Sequence, residues 1–322
     1  MHNLNFKDGK ASMFFIGEKP WHSFGTQLQN VATSAEAIVA AQLDYVVEKR
    51  QVLYQSTPQH GNPAEFKGKF VTVRADNEKA LGIVGNIYRP LQNKEAFSFF
   101  DAVVGEKAAM YHTAGALGDG EKVWILAKLP GTIKVTDSDV VEKFLLLSNS
   151  HDGSSAVEMM FSPIRVVCQN TLNMALSSAT HRFTARHTMS VGQKVSDARD
   201  TLGIIYSQYD VFEELSKKML NVHVNQKQYT EYLEKIGVIA KDEDGTYSTR
   251  TQNTLNNLVN LYEHGKGNDM PKVAGTIWAA MNAVVEYVDY VRGSDGNRTK
   301  SILYGSGAVV KQKAWDLAVA QI

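Results

Sequence analysis

The stretch SNSHDGSSA, residues 148–156, collects side chains of the types that do chemistry. Ser150, His151, Asp152 and Ser154 follow directly on the apolar run Phe144-Leu145-Leu146-Leu147. A histidine beside an aspartate can serve acid–base work, metal ligation or anion binding. The same pair also makes an ordinary turn, because Asp caps the backbone and Gly153 accepts a positive φ. Cys168 is the sole cysteine. With His151 as base and Asn149 or Asn170 as orienter it would form a nucleophilic pair. It lies, however, in a Val166-Val167-Cys168 run that reads as buried packing. No GxSxG elbow surrounds the serines. His181, His187 and Glu158 are further ligand types, but no HxxxH or HExxH spacing occurs. The loop therefore reads first as a turn, and no catalytic residue, metal ligand or cofactor is assigned.

The stronger signal is an absence. No Asp or Glu occurs between Glu158 and Asp197, a run of 38 residues in a chain with 34 acids in 322. Arg165, Arg182, Arg186 and Lys194 lie inside it, with His181 and His187. Around them stand Gln169, Asn170, Thr171, Asn173, Thr184 and Thr188. These are the side chains that hold phosphate and sugar oxygens. Read as a strand, RFTARHT (182–188) places Arg182, Thr184 and Arg186 on one face and Phe183 and Ala185 on the other, a basic strip on a sheet edge. A second basic cluster comprises Arg292, Arg298, Lys300, Lys311 and Lys313. A single strand of nucleic acid takes such a strip together with aromatic faces for stacking. Phe161, Phe183 and Tyr304 have the right type for that. The plainer alternative is a solvated basic face. The expected interface is thus Arg165, Gln169, Asn170, Asn173, Arg182, Arg186, His187 and Lys194. Ser150, His151, Asp152 and Ser154 would form a loop wall beside it.

Glycine loops add little. GALGDG (115–120) is not followed by GK[ST] and precedes a strand, which excludes a P-loop and a dinucleotide fingerprint. GSG at 305–307 precedes a helix and could offer its N–H groups to one phosphate, or serve as a linker.

The elements that must position these residues fall into two parts. Thr33-Ser34 with Glu36 opens a short helix. DYVVEKRQVLY (44–54) reads as a strand, and KFVTVRAD (69–76) with ALGIVGNIYRP (80–90) as a hairpin. LQNKEAFSFFDAVVG (91–105) has helical periodicity. Gly118-Asp119-Gly120 marks a hairpin turn. DVVEKFLLLSN (139–149) and SSAVEMMFSP (154–163) are the next strands, with SNSHDGSS at the turn between them. RVVCQNTLNMALSSA (165–179) begins as a strand and continues as a helix that Asn170 or Thr171 would cap. Helical stripes then recur over 196–221, 226–237, 251–265, 276–290 and 308–321. The expected fold is α+β: an antiparallel, hairpin-rich sheet with packed helices over residues 1–190, then an all-helical region over 191–322.

The whole chain sets outer bounds. Basic and acidic residues balance at 34 each, so attraction to a polyanion must be local. One cysteine forbids an internal disulfide and any zinc site that needs two or more cysteines. The start MHNLNFKDGKASMFF lacks the apolar core of about 7–15 residues of a secretory signal. No apolar stretch of about 18 residues occurs. The expectation is a soluble cytoplasmic protein with no membrane partner.

GEKPWHSFGTQL (17–28), IYRPLQNKEAF (87–97), SNSHDGSSA (148–156), RVVCQNTL (165–172), ARHT (185–188) and NAVVEYVDY (282–290) occur in this order. Together they resemble a phage-, prophage- and plasmid-borne family catalogued as a domain of unknown function. The resemblance runs from about Gly17 to the last helix. It implies a mobile-element protein in a bacterial cytoplasm. Genes of this kind travel with recombination functions such as single-strand annealing proteins, which pair a β-hairpin sheet with helices and assemble into rings or filaments. The expectation that follows is a non-catalytic, homo-oligomeric protein that binds DNA, as a single strand, in recombination or repair. Two other classes stay open: an enzyme acting on nucleotides or nucleic acid through His151 and Asp152, and a protein-binding inhibitor of a host defence system.

Overall fold

The computed structural model describes residues 4–16, 24–29, 33–55, 61–104, 110–165, 170–171, 183–191, 193, 201–293, 301–302 and 305–322. In chain order its strands and first helices are β1 (Phe6–Lys7), β2 (Lys10–Ala11), β3 (Met13–Ile16), β4 (Thr26–Leu28), α1 (Ser34–Ala40), β5 (Val47–Gln55), β6 (Pro63–Arg74), β7 (Ala80–Gly85) and α2 (Asn93–Val104). Then come β8 (Met110–Leu117), β9 (Lys122–Lys134), β10 (Val140–Ser150), β11 (Val157–Phe161), β12 (Ile164–Arg165), β13 (Asn170–Thr171) and β14 (Phe183–Ala185). Helices follow: α3 (Thr201–Met219), α4 (Gln226–Ile236), α5 (Thr249–His264), α6 (Ile277–Glu286) and α7 (Ser306–Val319). The fold is α+β, with antiparallel sheets early and helices late.

Local chemistry explains several boundaries. Thr33 and Glu36 form a reciprocal capping box at the start of α1. Gly118 and Gly120 take φ of +64° and +106° in the turn from β8 to β9, which side-chain-bearing residues adopt at a cost. Gly237 ends α4 in the left-handed region at φ +81°.

Among the described residues the main sheet has nine strands. Its path runs β13-β12-β10-β9-β8-β3-β4, and β11 pairs with both β10 and β14. β11 and β12 lie on the same side of β10, because Leu145 faces Phe161 and Val141 faces Arg165. They are two halves of one path, separated at Ser162-Pro163, where proline removes a ladder donor. The sheet centre is buried on both faces. Val123, Ile125, Ala127, Leu145 and Leu147 look into the larger core, while Trp124, Leu126, Phe144 and Leu146 look into a smaller one closed by Leu4, Ala11 and Met13. That double burial is why 144–147 reads as a continuous apolar run and not as an alternation.

The larger core joins the sheet to the late helices. Phe212 of α3 stacks on Trp315 of α7 at 5.0 Å and meets Phe161 and Trp278 edge-on. Trp278 Nε1 donates to the buried Asp139 carboxylate beside β10 at 2.8 Å. Beyond α6 the chain makes a π turn at Tyr287–Val291, whose Asp289 pairs with Lys311 of α7 at 2.9 Å in a fully enclosed site.

A second sheet, β5-β6-β7, packs over the β10–β11 loop. Strand β14 lies at the main sheet's edge, as RFTARHT predicts. Asn170 and Thr171 pair with Arg165 and Ile164 as a short strand; the helix that they were expected to cap lies outside the described residues.

Candidate functional site

The loop 151–156 joins β10 to β11, where the turn was expected. Gly153 takes φ +75°. Asp152 Oδ1 accepts from the Ser154 N–H at 2.8 Å and from the Ser150 hydroxyl, and the two serine hydroxyls stand 3.1 Å apart. The loop's own donors are thus turned onto a carboxylate within it. Burial opposes ionisation of Asp152, but the hydrogen bonds from Ser150 and Ser154 and the charge of Lys122 hold its carboxyl below the usual range. Strand β7 rests directly on this loop. A Cβ added at Gly82 would stand 2.6 Å from the Asp152 Cα and carbonyl oxygen, closer than any real contact.

His151 is fully enclosed, with 0% exposure. Its backbone N–H donates to Glu121 O at 2.7 Å, and its carbonyl accepts from Thr72 Oγ1 at 2.7 Å. Its ring Nε2 lies 2.9 Å from Asn93 Oδ1. Asn93 gives its Nδ2 to Leu43 O at 3.0 Å, so Oδ1 is the acceptor and His151 carries its proton on Nε2. Its Nδ1 is then a buried acceptor with no partner among the described residues. Burial, reinforced by the charges of His187 and Arg74, pushes the His151 imidazole down to about 3 against the pull of Asp152. A neutral, enclosed imidazole binds no anion and reaches no substrate. Its work is to join three parts: the end of β10, the start of α2 and β6, the central strand of the second sheet.

Among the predicted interface residues, His187 is also buried. It stacks on Tyr88 at 4.7 Å, and the Tyr88 hydroxyl donates to Ser150 O at 2.8 Å. His187 and Arg89 clasp one another: the Arg89 N–H donates to His187 O at 3.0 Å, and His187 Nδ1 donates to Arg89 O at 3.1 Å. Burial holds the His187 ring below its usual range, against that hydrogen bond and Asp152. Arg186 immediately precedes it and is exposed, as are Arg89 and Thr184.

This clasp brings two arginines to one surface. Lys49 of β5 joins them: its Nζ donates to Asn86 O at 2.5 Å and Tyr88 O at 3.1 Å and sits 4.1 Å over the Phe70 ring. Burial, and then the charge of Arg89, push the Lys49 ammonium below its usual range. Among the described residues no carboxylate makes an ion pair with Lys49, Arg89 or Arg186. By contrast Arg74, buried under the same sheet, is fully engaged by Asp76, Asn5 Oδ1 and Asp119 O, and stacks on Tyr45 at 3.8 Å.

The other predicted residues lie elsewhere. Arg165 faces Val141 at the far end of β10 from Ser150, about 30 Å away at the rise of a strand. Asn170 sits beside it in β13. Gln169, Asn173, Arg182 and Lys194 lie outside the described residues, as do Cys168, His181, Arg298, Lys300 and Tyr304. No three His, Cys, Asp or Glu side chains among the described residues stand together as a metal site requires. No helix among them is long and apolar enough to cross a membrane. Lys49 and Arg89 escaped prediction because both lie outside the acid-free run, although Arg89 falls within the IYRPLQNKEAF stretch.

The sequence model of a family described as a domain of unknown function (DUF932) matches residues 80–315. The chain belongs to the DUF932 family. No curated protein and no solved structure matches it. The DUF932 match opens at β7 and so contains Arg89, the 151–156 loop and the 186–187 clasp. Lys49 and the β5–β6 ribbon precede it.

Proposed function

We propose that this DUF932 protein binds single-stranded DNA without catalysis, on the face that carries Lys49, Arg89 and Arg186. The observation behind this is the clasp between residues 89 and 187, which gathers cations that no carboxylate among the described residues neutralises. Like charges held together at a structural cost are supported best by an anionic ligand with several phosphates. Arg165 and the edge strand β13 lie far along the same sheet edge, which suits an extended ligand over a small one. The sequence resemblance supports the setting: recombination or repair on a phage, prophage or plasmid, in a bacterial cytoplasm, by a homo-oligomer.

The enzyme alternative would have to work through His151, a side chain with 0% exposure, and an Asp152 already taken by its own loop. Neither favours turnover.

The test is binding of labelled oligonucleotides as a function of salt. On single strands each neutralised phosphate contributes about 0.7 to the log–log slope, so these three cations should give a slope near −2 or steeper. Arg89→Ala/Arg186→Ala should make it shallower by about 1.4. Absence of binding at low salt, or a slope that the double substitution leaves unchanged, refutes the proposal.

A further inference from the structure

The end of the β5–β6 ribbon is a surface that the fold does not explain. Gln51 pairs with Phe70, but the next pair is Leu53 with Glu65. Four residues, 66–69, therefore oppose Val52 alone, an excess of three on one strand, and the ribbon bulges there. Gly68 takes φ +76° inside the bulge. The Gln51 amide closes it by donating to Phe66 O at 3.0 Å and Lys69 O at 3.3 Å. Such bulges re-aim the residues they carry.

Beyond the bulge nothing in the described chain covers the ribbon. Leu53, Tyr54 and Phe66 are 56%, 50% and 50% exposed. Tyr54 and Phe66 stand edge to face at 6.2 Å. Lys67 and Lys69 are exposed beside them and make no ion pair among the described residues. Glu65 is the one acid in residues 51–55 and 61–69. An exposed aromatic pair at the tip of a two-stranded ribbon contributes little to folding. Aromatic faces next to unpaired lysines are what a nucleic-acid single strand recruits: rings for bases, ammonium groups for phosphates. Lys49 lies on the same strand as Tyr54, five residues earlier, or about 17 Å. The odd spacing turns the two side chains to opposite faces of β5, so one DNA strand reaches from Lys49 to Tyr54 by crossing over β5, the outer strand of this sheet.

We infer that this ribbon is the base-stacking arm of the single-strand site, with Tyr54 and Phe66 receiving bases and Lys67 and Lys69 the adjoining phosphates. The inference rests on the DNA-binding reading of the Lys49–Arg89–Arg186 face. The experiment compares, by fluorescence anisotropy at low salt, an oligothymidylate with an abasic oligonucleotide of the same length. Wild type should bind oligothymidylate about tenfold more tightly, the worth of one well-stacked base. Tyr54→Ala/Phe66→Ala should lose that preference and keep its affinity for the abasic strand within about twofold. Arg89→Ala/Arg186→Ala should weaken both ligands alike. All four side chains are exposed, and a thermal melt of each variant confirms folding.

Equal wild-type affinity for the two strands overturns the arm's role, as does a preference that survives Tyr54→Ala/Phe66→Ala; in both cases the phosphate-binding face stands. If wild type binds neither strand, both proposals fall. If sedimentation shows Tyr54→Ala/Phe66→Ala dissociating an oligomer while base preference persists, the ribbon joins copies of the chain, and the stacking role is refuted.

Discussion

His151 Nε2 lies 2.9 Å from the side-chain oxygen of Asn93, the first residue of α2. The bond spans 58 positions of sequence and ties the 151–156 loop to the start of α2. Removing the imidazole should leave Asn93 Oδ1 unsatisfied and open a cavity. His151→Ala is expected to lose about 2–4 kcal/mol in urea unfolding. The folded fraction should still bind oligonucleotides with unchanged affinity. Lost affinity at full stability would return His151 to the functional site.

The same imidazole makes stability depend on pH. His151 and His187 are both held below their usual range, so below about pH 6.5 the unfolded chain binds more protons than the folded one. Stability is therefore fully present above about pH 6.5 and falls as the pH drops. For His151 the decline is about 1.4 kcal/mol per pH unit and continues towards its folded value of about 3. His187 adds a loss that begins at the same upper edge. Urea midpoints at pH 7.5, 6.0 and 5.0 check this; a flat series contradicts it.

Gly82 is required for a different reason, since the backbone of Asp152 occupies the space of its missing Cβ. Backbone cannot swing aside as a flexible side chain does. Gly82→Ala should cost about 1–3 kcal/mol. It should also raise amide exchange in 151–155, because β7 must lift from the loop. Unchanged protection in the loop would argue against the close approach.

Phe212 reports on how sheet and late helices unfold. Its contacts with Phe161, Trp278 and Trp315 belong to one apolar cluster. Phe212→Ala should lower stability by about 3–5 kcal/mol. It should shift a single calorimetric transition and not split it. Two separate transitions in the wild type would mean that the helical region folds independently.

Asp289 and Lys311 form an ion pair at 3% and 0% side-chain exposure. Asp289→Asn removes the carboxylate that faces a buried ammonium and should cost about 3–5 kcal/mol. Asp289→Leu/Lys311→Met should recover much of that, because the desolvation of both charges disappears with them. A double variant as unstable as the single would show that the pair organises the π turn through more than charge.

Much of the fold was legible because its signals are local. Gly118-Asp119-Gly120, the Thr33–Glu36 box and Gly237 each act over a few residues, and each sits where its chemistry requires. The candidate site was less legible, because long-range pairs build it. Arg89 and His187 are 98 positions apart, and nothing in either segment announces the other. The acid-free run drew attention to Arg186 but could not supply Lys49 or Arg89. The opposite failure occurred at His151: its residue type suggested chemistry, and only burial revealed a tether.

The contact between Gly82 and the Asp152 backbone also bears on how such a chain can drift. A strand lying that close leaves no height for an inserted residue between Ser150 and Ala156, and no side chain can appear at position 82 unless the loop shortens or retreats. The two places are bound to change together or not at all. The exposed turn at Asp242–Gly245, whose backbone hydrogen bonds among the described residues close on the turn itself, carries no such bond and can lengthen freely.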